Sequence, residues 1–228
     1  MKVELNDLKA RFNIEIDFFK EYLTFNEKSL KERNERLITN IEEDQFYNPS
    51  IPMDLVYKDE IERIPSLFFS SSILMLFSIL ESTLNGICRE IISQCGLPMH
   101  MEDYTGNNYI GKTKKFLETF GHLCFDKLDT QWVEISRYQK LRNNIIHENS
   151  TLSSDSKNRE RFTELLRSLG IKINDPSEDR YYILENTPVI RLKESIVLYV
   201  NGIIEQAEEI DYTRFETPRP ANILPSPI

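Results

Sequence analysis

A mainly α-helical fold with a small β-hairpin insertion is what this 228-residue chain predicts, on three observations. Apolar residues recur at spacings of three and four over long stretches, the period of an amphipathic helix. Seven glycines are few for an all-β fold, which needs many tight turns. A change to short β-type runs occurs in one place, between residues 171 and 185.

The elements follow in order. Leu5, Leu8, Phe12, Ile16, Phe19 and Leu23 fall on one stripe, and the charged stretch from Glu27 to Arg36 extends it into solvent, so a long helix is expected near residues 4 to 36. Asn48-Pro49 and Ile51-Pro52 break the pattern, which makes residues 40 to 57 a connector. The strongest helix is expected from Ser66 to Gln94, with Gly96 and Pro98 as stop signals. Its most apolar run, Leu67 to Leu80, holds four serines, is short for a bilayer span and meets Glu81 at once, so it reads as a buried helix with no membrane partner.

After a polar loop from Met99 to Gly111, helices are expected around Lys114 to Phe120, Leu128 to His147 and Asn158 to Leu169, the last closed by Gly170. Ile171-Lys172-Ile173 and Tyr181-Tyr182-Ile183-Leu184, around Asn174-Asp175-Pro176, suggest the hairpin, within an insertion spanning 171–187. Helical period resumes from Val189 to Glu209. Residues 1–210 therefore read as one domain, and residues 211–228, rich in proline, as a flexible or extended tail.

A net charge of -9 argues against a protein that coats nucleic acid through a generally basic surface, because such binding draws on many phosphate contacts. Contact with RNA would have to be local. Cys88, Cys95 and Cys124 form neither a close metal-type pair nor an even disulfide set, and they read as reduced thiols of a cytoplasmic protein. The N-terminus lacks the apolar core of a signal peptide. His100 and His122 lack ligands at a metal spacing, and the acidic run Ile41-Glu42-Glu43-Asp44 has no Ca²⁺-loop pattern, so neither a metal nor another cofactor is expected.

Two anomalies stand out against this amphipathic background. On the helix from Leu128 to His147, the apolar arc of Leu128, Trp132, Ile135, Tyr138, Ile145 and Ile146 also contains Arg142, a charge that is costly on a core side unless paired. Asn143 and His147, four residues apart, share a face at the arc's edge. On the central helix, Ser78, Glu81 and Asn85 lie on the face of Leu67, Leu74, Phe77, Leu84 and Cys88. Glu81 is thus the natural partner of Arg142, through a forked guanidinium–carboxylate pair. A buried polar network that only keeps two helices in register accounts for the same pattern.

The run Arg142-Asn143-Asn144-Ile145-Ile146-His147, near the C-terminal end of a helix in a helical domain, resembles the R-x4-6-H motif of the HEPN superfamily. The resemblance implies a HEPN-like helical bundle acting as a metal-independent endoribonuclease of toxin or antiviral-defence type, which cleaves RNA by attack of the ribose 2′-hydroxyl. In that reading His147 transfers protons, Arg142 clamps phosphate and Asn143 orients, with Ser78, Glu81 and Asn85 in support. Arg137 and Lys140, just before the motif, offer a local basic patch for RNA. The resemblance further implies a symmetric homodimer with both motifs facing one cleft, and an antitoxin as a possible partner. The alternative is a non-catalytic HEPN-like dimerisation or interaction module, and a third reading is a structural helical protein with a chance motif.

Overall fold

The computed structural model describes residues 2–97, 108–173 and 179–210. Seven α-helices occur among them: α1 (Lys2–Tyr47), α2 (Met53–Val56), α3 (Lys58–Cys95), α4 (Tyr109–Thr119), α5 (Asp129–Glu148), α6 (Ser156–Ser168) and α7 (Thr187–Glu209). α3 is the axis of the molecule. It packs along α1 and α7 and meets α4 and α5, while α5 and α7 pack against each other.

The sequence periodicity translates directly into burial. Leu5, Phe12, Ile16, Phe19 and Leu23 of α1 are buried, against Ile73, Leu76, Phe77, Leu80, Leu84, Ile87, Cys88 and Ile91 of α3. α7 adds Leu192, Ile196, Tyr199, Val200 and Ile203, and α5 adds Ile135, Tyr138 and Leu141. By length and composition α3 is apolar enough to cross a bilayer, yet it is the shared core of four neighbours, and 44% of its most apolar window is buried inside the fold.

Local chemistry sets several helix ends. Asn108 caps α4 by accepting from the Gly111 amide at 2.6 Å, and Asp155 caps α6 by accepting from the Asn158 amide at 2.8 Å. Gly96 ends α3 in the left-handed conformation that glycine adopts without strain. Gly202 has a different use: a Cβ there would come within 2.5 Å of Leu128 Cδ2, so its absence lets α7 lie close against the entry to α5. The Lys114 ammonium sits 4.9 Å from the Trp132 ring centre, which ties α4 to the same corner.

Three expectations change. α1 runs on to Tyr47 and α3 begins at Lys58, so the connector contracts to residues 48–52 and the short α2. Pro65 lies inside α3, two turns from its start, where it forgoes one backbone hydrogen bond and is buried. The hairpin is not formed: among the described residues there is no strand, and its intended apex, residues 174–178, lies outside them, as does the proline-rich tail. Instead Ile171, Tyr181 and Ile183 insert singly into the core. Their backbone bonds go elsewhere, Tyr181 N–H to the Ser150 carbonyl at 3.2 Å and Ile183 N–H to Ser66 Oγ at 3.0 Å, with one isolated bridge between Thr151 and Arg180.

Candidate functional site

Residues of α5 project on three sides. Ile135, Tyr138 and Leu141 face the core and are sealed. Arg142 lies at the edge of this face, beside α3, and Asn143 and His147 lie on the exposed side. Ile146, expected within the apolar arc, is 45% exposed, because the arc centres on Tyr138 and leaves the last turn open.

Arg142 and Glu81 do come together across the α3–α5 seam. The contact is Arg142 Nη2 to Glu81 Oε1 at 3.9 Å, with each side chain 30% exposed. It is a single long contact at a half-open rim, not a buried fork. Arg142 Nη1 also donates to Asn143 Oδ1 at 3.3 Å, so the asparagine beside the arginine holds the guanidinium from the solvent side. Arg142 Nε is buried and, among the described residues, without a hydrogen-bond partner, as is Asn85 Oδ1. The guanidinium therefore keeps unused donors while its position is restrained on two sides.

His147 occupies the last turn of α5 and is exposed. Beyond it the chain reverses through Asn149 (φ 49°) and Ser150 (φ 59°), two consecutive residues in the left-handed region. Asparagine tolerates that conformation at a helix end, whereas serine there stores strain that the surroundings must hold. They do so through Asn144. Its Nδ2 donates to the Thr151 carbonyl at 3.0 Å, and its Oδ1 accepts from the hydroxyl of buried Tyr181 at 2.9 Å. Sequence reasoning passed over Asn144 as a residue within the motif run; the aromatic pair Tyr181-Tyr182 was the one signal of its partner.

The remaining candidates divide. Lys140 is exposed and lies seven residues before His147, on the same face of α5. Arg137 is turned towards α7, 3.6 Å from Glu134, a carboxylate that also receives Arg191 Nη2 at 2.6 Å. Ser78 and Asn85 line a groove of about 810 Å³ between α1 and α3, together with Arg11, Glu15, Phe18, Met75 and Arg89, and so lie beside the Glu81–Arg142 contact instead of within it. Cys88 is buried among apolar side chains, which pushes its thiol well above the ordinary range and makes it inert. No family model, curated protein or solved structure gives a significant match to this chain.

Proposed function

We propose that this chain is a HEPN-like, metal-independent endoribonuclease of toxin or antiviral-defence type, acting in a cytoplasmic setting as a pair of copies and held in check by a partner such as an antitoxin. The observation that carries the reading is the arrangement at the end of α5: an arginine restrained by Glu81 and Asn143 with donors to spare, and an exposed histidine five residues on, at the open rim of α3 and α5.

Those groups suit one reaction. The ribose 2′-oxygen forms a bond to phosphorus as its proton passes to a base, and the bond from phosphorus to the 5′-oxygen breaks as that oxygen takes up a proton. An imidazole exchanges such protons near neutrality, and a permanently charged, forked guanidinium stabilises the phosphoryl oxygens as charge builds on them. Lys140, on the His147 face, is the basic side chain suited to the approaching strand. Arg137 is already engaged by Glu134 and has the smaller part.

The second reading, a non-catalytic interaction module, is favoured by the exposed apolar side chains on α1 and α3, among them Phe18, Phe25, Leu67 and Met75. One experiment separates the two. Purified protein incubated with labelled single-stranded RNA in EDTA should leave 2′,3′-cyclic phosphate and 5′-hydroxyl ends and should spare DNA. His147→Ala at equal folded concentration should slow cleavage by roughly 10²–10⁴. Unchanged cleavage would remove His147 from the chemistry, and no cleavage by either protein would leave the interaction module.

A further inference from the structure

An amphipathic helix buries one stripe, and the opposite stripe should be polar. α1 departs from this rule. Ile14, Phe18 and Phe25 fall within one narrow sector of the helix facing away from its own core, with Phe18 63% and Phe25 70% exposed. The neighbouring outward stripe of α3 carries Ile64, Leu67 and Met75, all exposed, interleaved with Ser71, Ser78 and Ser82. Phe18 of the first stripe and Met75, Ser78 and Ser82 of the second line the groove of about 810 Å³ that runs between the helices.

Two charged residues on this face also bear on what covers it. Arg11 and Glu15, one turn apart on α1, both line the groove, and among the described residues neither takes part in an ion pair. Opposite charges at that spacing complement themselves when two identical helices cross antiparallel. An axis at the level of Asn13 sets Arg11 against the partner's Glu15 and Glu15 against the partner's Arg11. Ile14 then meets the partner's Ile14, and Phe18 reaches the shallow place where Gly86 lies under Leu8, close enough that a Cβ on Gly86 would stand 2.7 Å from Leu8 Cδ2.

We propose that the α1–α3 face is the two-fold interface of a homodimer, centred on reciprocal Arg11–Glu15 pairs and on Phe18. This deepens the two-copy reading given above by naming its surface, which is α1 and the outer stripe of α3 instead of α5. A two-fold contact uses the same patch on both copies, and a self-complementary charge pair is what such a patch needs. A stable interface buries about 800 Å² per partner, of which Phe18 and Phe25, 63% and 70% exposed, contribute roughly 100–150 Å² each when covered. Ser78 and Asn85 belong to the covered face, and Glu81, next to them on α3, makes the contact to Arg142, so the arginine of each copy stands near its edge.

The test uses the full chain in sedimentation equilibrium, with circular dichroism to confirm folding of each variant. Arg11→Glu and Glu15→Arg each create two like-charge contacts and should raise the dimer dissociation constant by at least about tenfold. The double variant should return it to near the wild-type value, and an equimolar mixture of the two single variants should form mixed dimers that neither forms alone. A dimer unmoved by these changes overturns this assignment of the surface while leaving the paired reading intact. A monomer at all concentrations overturns both, as does a monomer that floats with phosphatidylcholine–phosphatidylglycerol vesicles and is released by Phe18→Asp.

Discussion

Asn143 and Asn144 are chemically identical neighbours with different duties. Asn143 is exposed and accepts from Arg142, whereas Asn144 joins the Thr151 carbonyl to the Tyr181 hydroxyl and so holds the chain reversal after His147. Asn144→Ala removes the donor to the Thr151 carbonyl and the acceptor of the buried Tyr181 hydroxyl and should lower stability by about 1–3 kcal/mol in urea unfolding. Asn143→Ala should leave the same curve unmoved. From the sequence the motif asparagine was legible, because it adjoins the arginine. The structural one was not, since its partner lies 37 residues along the chain and no spacing rule connects them. Glu81 and Arg142 were each legible as charges on apolar faces, but their exposure was not: a 3.9 Å contact between half-open side chains is screened by water, so Glu81→Gln should change stability by less than about 1 kcal/mol in the same assay.

At the scale of elements, the helices could be read because burial on one side imposes a period that any amphipathic helix repeats. Phe12, Ile16 and Phe19 show it on α1, and Ile196, Tyr199, Val200 and Ile203 show it on α7. Boundaries were harder. The strongest helix was expected to start at Ser66, yet α3 begins two turns before Pro65, because the hydrogen bond lost near a helix end is offset by burial of the ring. The alternation Tyr181, Ile183 was read as a strand, and the same inward pattern serves an irregular segment that anchors every second side chain in the core. The centre of α3 is where packing is least forgiving. Leu80→Ala there, at a fully buried position, should cost about 2–5 kcal/mol by denaturant unfolding, with activity per folded molecule retained.

The whole molecule responds to alkali through its buried phenols. Tyr138, Tyr181 and Tyr199 are held well above the ordinary tyrosine range, chiefly by desolvation. A pKa raised by folding means that the unfolded chain gives up its protons first. The stabilisation is thus complete below the ordinary phenol value of about 10 and declines as pH climbs beyond it. Melting temperature followed from pH 8 to 11 should fall in the upper part of that range, and Tyr138→Phe should flatten the decline.

Between Leu23 of α1 and Pro65 of α3, the buried hydrophobic side chains among the described residues are Leu37 and Met53. Here the end of α1, the turn at residues 48–52, α2 and the start of α3 are held mainly by surface contacts: Tyr57 Oη donates to Asp44 Oδ2 at 2.6 Å, and Arg33 Nη2 approaches Glu60 Oε2 at 3.1 Å. Free energies of opening follow buried contact, so this end should come apart without the rest. In deuterium exchange read by mass spectrometry, peptides from residues 28–56 should gain label at denaturant concentrations that leave residues 73–91 protected. Equal protection of both would mean that this end unfolds only with the core. Earlier labelling of residues 28–56 gives the chain two levels of order along the same continuous helices, a rigid half bearing the α5 rim and a looser half able to open and re-form while that rim stays assembled.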